Sequence, residues 1–235
     1  MRVGAIQSSY IPWRGYFDFI SSVDTFVVYD DVQYSKGSWR NRNRLKMPAG
    51  PRWITVPVRA HLGQAVDEVE IGQAGAAWQD LHRRQIEASL GEAPYYRDAL
   101  ALWLDAAGTG ERYLSRLNVR LIRAVNEYLG IRTPLAFSRE LDLRGNRTER
   151  LLSMLQQLGA TEYLSGPSAS AYLDVDLLNR NGIRVRYKQY DYRPYPQRWG
   201  GFEGAVSVLD LVANTGPAAR DYLPTLTPDT VVGEA

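Results

Sequence analysis

The chain has 235 residues, 45% of them hydrophobic, which is enough to bury a full core as one large or two small domains. Its net charge of +2 indicates no general attraction to nucleic acid or to a membrane surface. The absence of Cys excludes disulfides, a thiolate nucleophile and a cysteine-ligated zinc site. No apolar run is long enough to span a bilayer and no signal-peptide pattern opens the chain, so we expect a cytoplasmic protein.

The opening of the chain predicts a β-α-β unit. Val3 to Ile6 is a short apolar run, and apolar residues at helical spacing follow between Trp13 and Ser22. Thr25 to Tyr29 is β-branched and aromatic, as in a buried strand. Polar residues just past the carboxyl ends of such strands line the ligand crevice of an open α/β sheet. Here these residues are Gln7, Ser8, Ser9, Tyr10, Asp30, Asp31 and Gln33.

The remaining pattern predicts more strands around a helical middle segment. We expect strands at residues 52–58, 66–71, 135–138, 162–165 and 183–190. We expect helices at residues 78–90, 93–106, 111–129, 148–158 with Thr148 as N-cap, 169–180 and 205–214. From about Pro224 the chain is expected to be loosely held.

This alternation predicts an α/β fold. It indicates a mostly parallel sheet with flanking helices, Rossmann-like β-α-β units and the helical middle segment. We expect three parts, residues 1–75, 76–130 and 131–235, to form one compact unit.

A basic segment follows the second predicted strand and its polar end. It reads Arg40, Asn41, Arg42, Asn43, Arg44, Leu45 and Lys46. If this loop is extended, its four cations share one face, which would suit a phosphate or a carboxylate. Arg42 and Arg44 are the first choices, because guanidinium forks match two-oxygen acceptors. The alternative is a solvated charged surface, although the interleaved Asn residues indicate hydrogen bonding.

Several stretches of the chain resemble the WbqC-like protein family. They are Gln7-Ser8-Ser9-Tyr10-Ile11-Pro12-Trp13-Arg14-Gly15-Tyr16-Phe17, Asp30-Asp31-Val32-Gln33-Tyr34, Asn41-Arg42-Asn43-Arg44-Leu45-Lys46, Trp53 to Val58, Tyr163 to Gly166, Tyr187 to Tyr190, Tyr195 to Gln197 and Ser207 to Leu211. The family often has His before the opening Gln, where this chain has Ile6. The resemblance implies an acyl- or aminoacyl-transferring or condensing enzyme of a bacterial surface-polysaccharide or specialised-metabolite pathway.

The candidate catalytic residues are Asp30, Asp31 and Tyr10. Paired carboxylates can share a proton, and one of them can act as base when an amine attacks a bound thioester or ester directly. The alternative is that one carboxylate is solvated and the other caps a turn. Tyr10 lies in the turn before Pro12 and is the aromatic residue of the opening motif that we expect to contact a ligand.

The candidate substrate-binding residues lie in both halves of the chain. They are Gln7, Ser9, Gln33, Asn41, Arg42, Arg44, Lys46, Ser165, Gln189, Tyr195 and Gln197. Ser165 precedes Gly166 in a strand-to-helix turn, whose backbone N–H groups can hold an anion. Tyr195 and Gln197 belong to a Pro-containing loop that would close over the crevice.

Other ligands are not indicated. His61 and His82 have no partner at metal-ligand spacing, so we expect no metal site. Gly108-Thr109-Gly110 lacks the third Gly of a dinucleotide fingerprint, so we expect no cofactor. The expected partners are a small-molecule or carrier-bound substrate and a carrier protein, without nucleic acid or membrane. The alternatives are a nucleotide-dependent ligase or nucleotidyltransferase, and a non-catalytic small-molecule binding protein.

Overall fold

The computed structural model describes residues 1–72 and 77–232. Its strands are β1 (Arg2–Ile6), β2 (Thr25–Val28), β3 (Arg42–Met47), β4 (Gly50–Thr55), β5 (Val58–Arg59), β6 (Glu70–Ile71), β7 (Leu135–Phe137), β8 (Glu162–Ser165), β9 (Arg184–Tyr187) and β10 (Thr230–Val232). Its α-helices are α1 (Arg14–Ser21), α2 (Ala77–Leu90), α3 (Tyr96–Ala107), α4 (Leu114–Tyr128), α5 (Arg147–Gln157), α6 (Val175–Arg180) and α7 (Val208–Thr215). The predicted boundary at residues 75 and 76 lies outside the described residues.

The main sheet has the strand order β10-β9-β8-β1-β2-β7. Strands β9, β8, β1, β2 and β7 are parallel, and β10 pairs antiparallel with β9. The chain runs from β1 outward to β2 and β7, then returns to the other side of β1 for β8 and β9. The predicted α/β fold with a mainly parallel sheet is confirmed, and the strand order reverses between β1 and β8.

Helix α1 packs on the central strands through aromatic side chains. Phe17, Phe19 and Ile20 are fully buried, and Phe19 meets Phe26 of β2 edge to face with ring centroids 6.1 Å apart. A Cβ atom at Gly4 of β1 would overlap the Phe19 ring, so this position requires the smallest residue. The close approach fixes where β1 ends relative to the start of α1.

Helices α2, α3 and α4 form the predicted helical middle segment. Helix α4 buries Leu114, Leu117 and Leu121, which recur at helical spacing. Trp103 of α3 is 1% exposed and belongs to the same hydrophobic core as the first β-α-β unit. This shared core places the middle helices against the hairpin β3–β4.

Four local predictions were wrong. The basic segment is not a loop but strand β3, which pairs with β4. Helix α5 begins after Asn146 rather than Thr148, and the Glu149 carboxylate accepts the Asn146 N–H at 3.4 Å. The helix predicted at 169–180 is a 3₁₀ turn (Pro167–Ala171) followed by α6. Residues 225–232 are held, because β10 covers the edge of β9.

Candidate functional site

A cavity of about 950 Å³ opens beyond the carboxyl ends of β1 and β8. This is the point where the strand order reverses, the usual ligand position in open α/β sheets. The volume lies in the range of small-molecule sites. Aromatic residues form much of its wall: Trp13, Tyr16, Tyr29, Trp39, Tyr163, Tyr172 and Tyr190. The charged side chains of the described residues that line it are Arg40, Arg147 and Arg150.

The turn after β1 is strained and held by one amide. Ile11 has φ 37°, a left-handed conformation that is costly for a β-branched residue. The Asn43 side chain, 2% exposed, donates to the carbonyls of Tyr10 and Ile11 at 3.1 and 2.9 Å. Asn43 is one of the interleaved Asn residues of β3. Its hydrogen bonds fix the turn that carries Gln7 and Ser9 into the cavity.

Arg40 lies in the cavity with its backbone anchored on both sides. The carbonyl of Arg40 accepts from Asn118 Nδ2 at 2.8 Å, and the carbonyl of Trp39 accepts from the Tyr10 N–H at 3.0 Å. The guanidinium donates through Nη1 to the Gln7 side-chain oxygen, and its buried Nε has no hydrogen-bond partner. Within the described part of the chain Arg40 makes no ion pair. Burial lowers its pKa, and the nearby Tyr16 and Asp30 act against that shift.

Gln7 is oriented by its neighbours. Its side-chain oxygen accepts from Arg40, and its backbone carbonyl accepts from the Tyr16 hydroxyl at 3.2 Å. The side-chain amide nitrogen is therefore left to face a ligand. Gln7, Ser9 and Ser165 are the predicted binding residues that line the cavity.

Asp31 holds an arginine of the cavity wall. Its carboxylate accepts from Arg150 Nη2 and, at 2.5 Å, from the Ser138 hydroxyl. The Arg150 guanidinium also donates to the Leu143 carbonyl at 3.3 Å. Arg147, the first residue of α5, lies at the same wall with φ 48° and is exposed. Arg150 is thus fixed by a carboxylate, whereas Arg40 is not.

Asp30 lies behind the cavity. It is 4% exposed and accepts from the Ser8 N–H at 2.7 Å and from the Ser115 hydroxyl. Burial raises its pKa, while the hydrogen bonds from Ser115 and Ser8 lower it. Neither Asp30 nor Asp31 lines the cavity. The role of base stays a prediction for both, and their contacts fit positioning of the strand ends.

Tyr10 is part of a buried hydrogen-bond chain rather than the cavity wall. Trp103 Nε1 donates to the Tyr10 hydroxyl at 2.7 Å, which lies 2.9 Å from His82 Nδ1. His82 Nε2 lies 3.1 Å from the Thr55 carbonyl and therefore carries the proton. Tyr10 then donates to Nδ1. Burial lowers the pKa of His82 to about 4, so the ring is neutral at physiological pH.

Lys46, Tyr195 and Gln197 meet in a second buried network. The Lys46 ammonium donates to the Gln197 side-chain oxygen at 3.0 Å and to the Gly201 carbonyl at 2.5 Å. Tyr195 and Gln197 donate to the Asp210 carboxylate at 2.9 and 2.7 Å. This network holds the Pro-containing loop of Tyr195 and Gln197 against the β3–β4 hairpin. Its residues are outside the cavity lining.

The other predicted binding residues also lie away from the cavity. Asn41 donates to the Val56 carbonyl at 3.0 Å, and Gln189 donates to the Thr230 hydroxyl at 2.7 Å. Gln33 forms a short β-bridge with residue 65. Arg42 and Arg44 lie on the outer face of the β3–β4 hairpin. Their predicted binding roles remain predictions.

The tyrosines of the wall are hydrogen-bond donors at neutral pH. Burial raises the pKa of Tyr163 to about 12, and it also raises the pKa of Tyr16 and Tyr190. These hydroxyls keep their protons; Tyr16 donates its proton to the Gln7 carbonyl, whereas Tyr163 and Tyr190 can donate to a ligand oxygen. Together with the guanidinium groups they make the cavity rich in donors, which fits an anionic ligand.

Residues 1–72 and 77–232 contain no cluster of three or more His, Asp or Glu placed to hold a metal ion. Over the same residues, the helices are too short or too polar to cross a bilayer.

The fold and the cavity define an α/β protein with a cavity at a topological switch point. The chain belongs to the WbqC-like protein family, which it matches over residues 7–222. It is 48% identical over 227 residues to the uncharacterized protein Rv1507c of Mycobacterium tuberculosis (strain ATCC 25618 / H37Rv), covering 94% of this chain and 97% of that protein. No solved structure matches the chain.

Proposed function

We propose that the cavity is the active site of an acyl- or aminoacyl-transferring or condensing enzyme that takes an anionic small-molecule or carrier-bound substrate. The observation that carries the proposal is Arg40, a cavity guanidinium with a buried, unpartnered Nε and no ion pair among the described residues. A charge held inside a protein is normally paired, so an anionic ligand group would supply the counter-charge that Arg40 lacks. The family resemblance supports a bacterial polysaccharide or specialised-metabolite pathway.

The donors at the β1 end are placed to act together on one oxygen. The guanidinium of Arg40 and the amide nitrogen of Gln7 belong to one hydrogen-bonded pair at the carboxyl end of β1. Fixed donors stabilise the negative charge that develops on a carbonyl oxygen during acyl transfer. Their effect is stronger behind an aromatic wall such as Trp13, Tyr16 and Tyr190, where water is scarce.

The reaction needs no covalent enzyme intermediate. The lone pair of a neutral amine attacks the acyl carbon of a bound thioester, and the carbonyl oxygen becomes an oxyanion held by Gln7 and Arg40. The oxyanion collapses, the carbon–sulfur bond breaks, and the proton of the former amine moves to the leaving thiolate. The products are an amide and a thiol. Holding both reactants in one cavity supplies the effective concentration for this step.

The test is a turnover and binding screen of the intact protein. Acetyl-coenzyme A, an acyl phosphate and an aminoacyl adenylate analogue would each be incubated with a panel of amines, with amide products followed by mass spectrometry. For a donor that reacts, Arg40→Gln should weaken binding roughly ten- to hundredfold, because charge-assisted hydrogen bonds contribute about 1.5–3 kcal/mol. Arg84→Ala, an exposed arginine of α2, is the matched control. Native affinity and turnover in a folded Arg40→Gln variant would refute the proposal.

A nucleotide-dependent ligase is the second candidate. It is favoured by the position of the cavity at the switch point, where open α/β sheets commonly bind nucleotides. Adding ATP and magnesium to the same screen separates the two. Amide formation only with ATP, together with release of AMP or ADP, would favour the ligase.

A further inference from the structure

Outside the cavity, two tryptophans and two arginines form an exposed cluster on the hairpin, here called the tryptophan–arginine patch (Trp39, Trp53, Arg42 and Arg44). Trp39 and Trp53 are each 43% exposed, with ring centroids 5.0 Å apart. The guanidinium of Arg42 lies 4.1 Å from the centroid of Trp53, and that of Arg44 lies 5.9 Å from both indole rings. The two indole planes are tilted by 46°, and the Arg42 guanidinium lies over the face of Trp53. The patch is thus a pair of tilted indole rings with two cations packed against it.

The hairpin register explains how the patch is assembled. Arg44 of β3 pairs directly with Trp53 of β4, and Arg42 is two residues before it on the same strand face. The opposite face of β3 carries Asn43 and Leu45, which are 2% exposed and pack inward. Alternation along β3 therefore places both arginines on the face away from Asn43 and Leu45. It does not by itself require arginine, or tryptophan opposite it.

The two arginine side chains lack hydrogen-bond and ion-pair partners among the described residues. The buried Nε atoms of Arg42 and Arg44 have no hydrogen-bond partner, and in residues 1–72 and 77–232 neither guanidinium donates a hydrogen bond or forms an ion pair. Arg14 also has an unpartnered Nε, but its Nη1 donates to two carbonyls at 2.8 and 3.3 Å. Some exposed arginines elsewhere pair with acids, as Arg139 does with Asp67 at 2.6 Å, whereas others such as Arg84 and Arg97 make no ion pair among the described residues. The patch cations are therefore available to a ligand.

The patch continues into the cavity. Trp39 lines the cavity wall as well as the patch, and the next residue is Arg40. The backbone of both residues is fixed by hydrogen bonds from Tyr10 and Asn118. One extended ligand can therefore place its reacting end beside Arg40 and its other end over Trp39 and Trp53.

We propose that the tryptophan–arginine patch binds a nucleoside diphosphate group that serves as the handle of the cavity ligand, an inference that rests on the proposed function. A flat base stacks on indole rings, and guanidinium forks bind the paired oxygens of a diphosphate. The chain adds no basic stripe beyond the patch, with a net charge of +2, which argues against a nucleic-acid strand.

Such a handle has two sources, a coenzyme A thioester donor or a nucleotide-linked sugar acceptor. Calorimetric titration of the intact protein with ADP, UDP, coenzyme A and pantetheine distinguishes them. Coenzyme A bound at least tenfold more tightly than pantetheine, with ADP bound on its own, identifies the donor. A preference for UDP and a UDP-sugar identifies the acceptor. The proposal is overturned if neither nucleotide binds at millimolar concentration.

The variants connect binding to the patch. Trp53→Leu and Arg42→Gln should each weaken nucleotide binding about tenfold, because stacking on one aromatic ring or one charge-assisted contact contributes that much. Their binding of pantetheine should be unchanged. Arg84→Ala serves as control, and melting temperatures confirm folding. Unchanged nucleotide affinity in both folded variants would refute nucleotide binding at the patch, even if nucleotides bind elsewhere.

Failure of the nucleotide-binding proposal can be distinguished from failure of the proposed acyl transfer. Arg40→Gln should weaken acetyl-coenzyme A and a short acyl-pantetheine alike, whereas the patch variants should weaken only the nucleotide-bearing ligand. Nucleotide binding at the patch without any amide product would retain this inference and refute the acyl transfer. If the patch variants form amide from acyl-pantetheine at the wild-type rate and no nucleotide binds, this inference is refuted and the acyl transfer is retained.

Discussion

In the core beside the cavity, Trp103 donates to Tyr10, Tyr10 donates to His82, and His82 donates to the Thr55 carbonyl. In the cavity itself, the Nε of Arg40 has no acceptor. The two regions share the turn after β1 and are built from similarly polar residues. Their difference shows which polar groups stabilise the fold and which are left for a ligand, because buried polar groups are normally hydrogen-bonded within the protein.

The same distinction explains much of what sequence reasoning achieved and missed. Gln7, Ser9 and Ser165 could be placed in the site because they follow strands whose carboxyl ends meet at one edge of the sheet. Tyr10 and Lys46 have equally polar side chains, but other parts of the chain satisfy them. Whether a polar group is satisfied depends on residues far away in sequence, which a local pattern does not contain.

The largest effect is expected at Lys188, which belongs to a buried network whose charged groups are paired within the protein. Its ammonium, 3% exposed, pairs with Asp18 at 2.8 Å and with Asp229 at 3.3 Å. Lys188→Met should lower the free energy of unfolding by about 3–5 kcal/mol, because two buried carboxylates lose their cation. Urea denaturation measures the change, with the exposed Lys36→Met as control. A loss below about 1 kcal/mol would mean that the network is not a stabilising one.

The pH dependence of stability tests the Tyr10–His82 chain. The pKa of His82 is about 4 in the fold and about 6.5 when unfolded, so unfolding binds a proton between these values. Stability from this group is complete above pH 6.5 and falls as the pH drops toward 4, by roughly 3 kcal/mol in total.

The variant His82→Gln removes that titration. Its unfolding free energy, measured by denaturant titration from pH 7 to pH 4, should fall less steeply than that of the wild type. Parallel curves for the two proteins would show that His82 is not buried in its neutral form.

Removing a charge from the cavity is expected to change the free energy of unfolding in the opposite direction. Arg40→Met removes a charge that has no ion pair among the described residues, so the free energy of unfolding should stay the same or rise by up to about 1 kcal/mol. The same substitution should weaken anion binding. A marked loss of stability would instead show that Arg40 stabilises the fold as the buried networks do. The contrast between the two regions would then be lost.

The smallest effect is expected from metal removal. Since the described residues offer no cluster of three or more metal-binding side chains, exhaustive chelation should leave the melting temperature unchanged. Adding back zinc or magnesium should also have no effect. A fall of several degrees on chelation would reveal a site formed in another way.

The fold itself was predictable where the signal is local. The strand at residues 162–165 has Tyr163 and Leu164 at its centre and is followed by Gly166 and Pro167, and the structure has β8 at the same residues. Strand β10 is three residues long and gains its stability from pairing with β9, more than forty residues earlier in sequence. Trp39 was missed as a site residue, and Arg40 was expected only as one of the four cations of the basic segment. The reason is related, since only the anchoring of their backbone turns both residues toward β1.

The central place of β1 has a consequence for the order in which the protein is assembled. Among the strands of the main sheet β1 comes earliest in the sequence, but it pairs on one side with β8, which begins at Glu162. During synthesis, β1, β2 and β7 can associate while that side of β1 remains open. The cavity lies between β1 and β8, so its two walls meet only after most of the chain has been made. A nascent chain can therefore bury much of its core before it is able to bind its ligand.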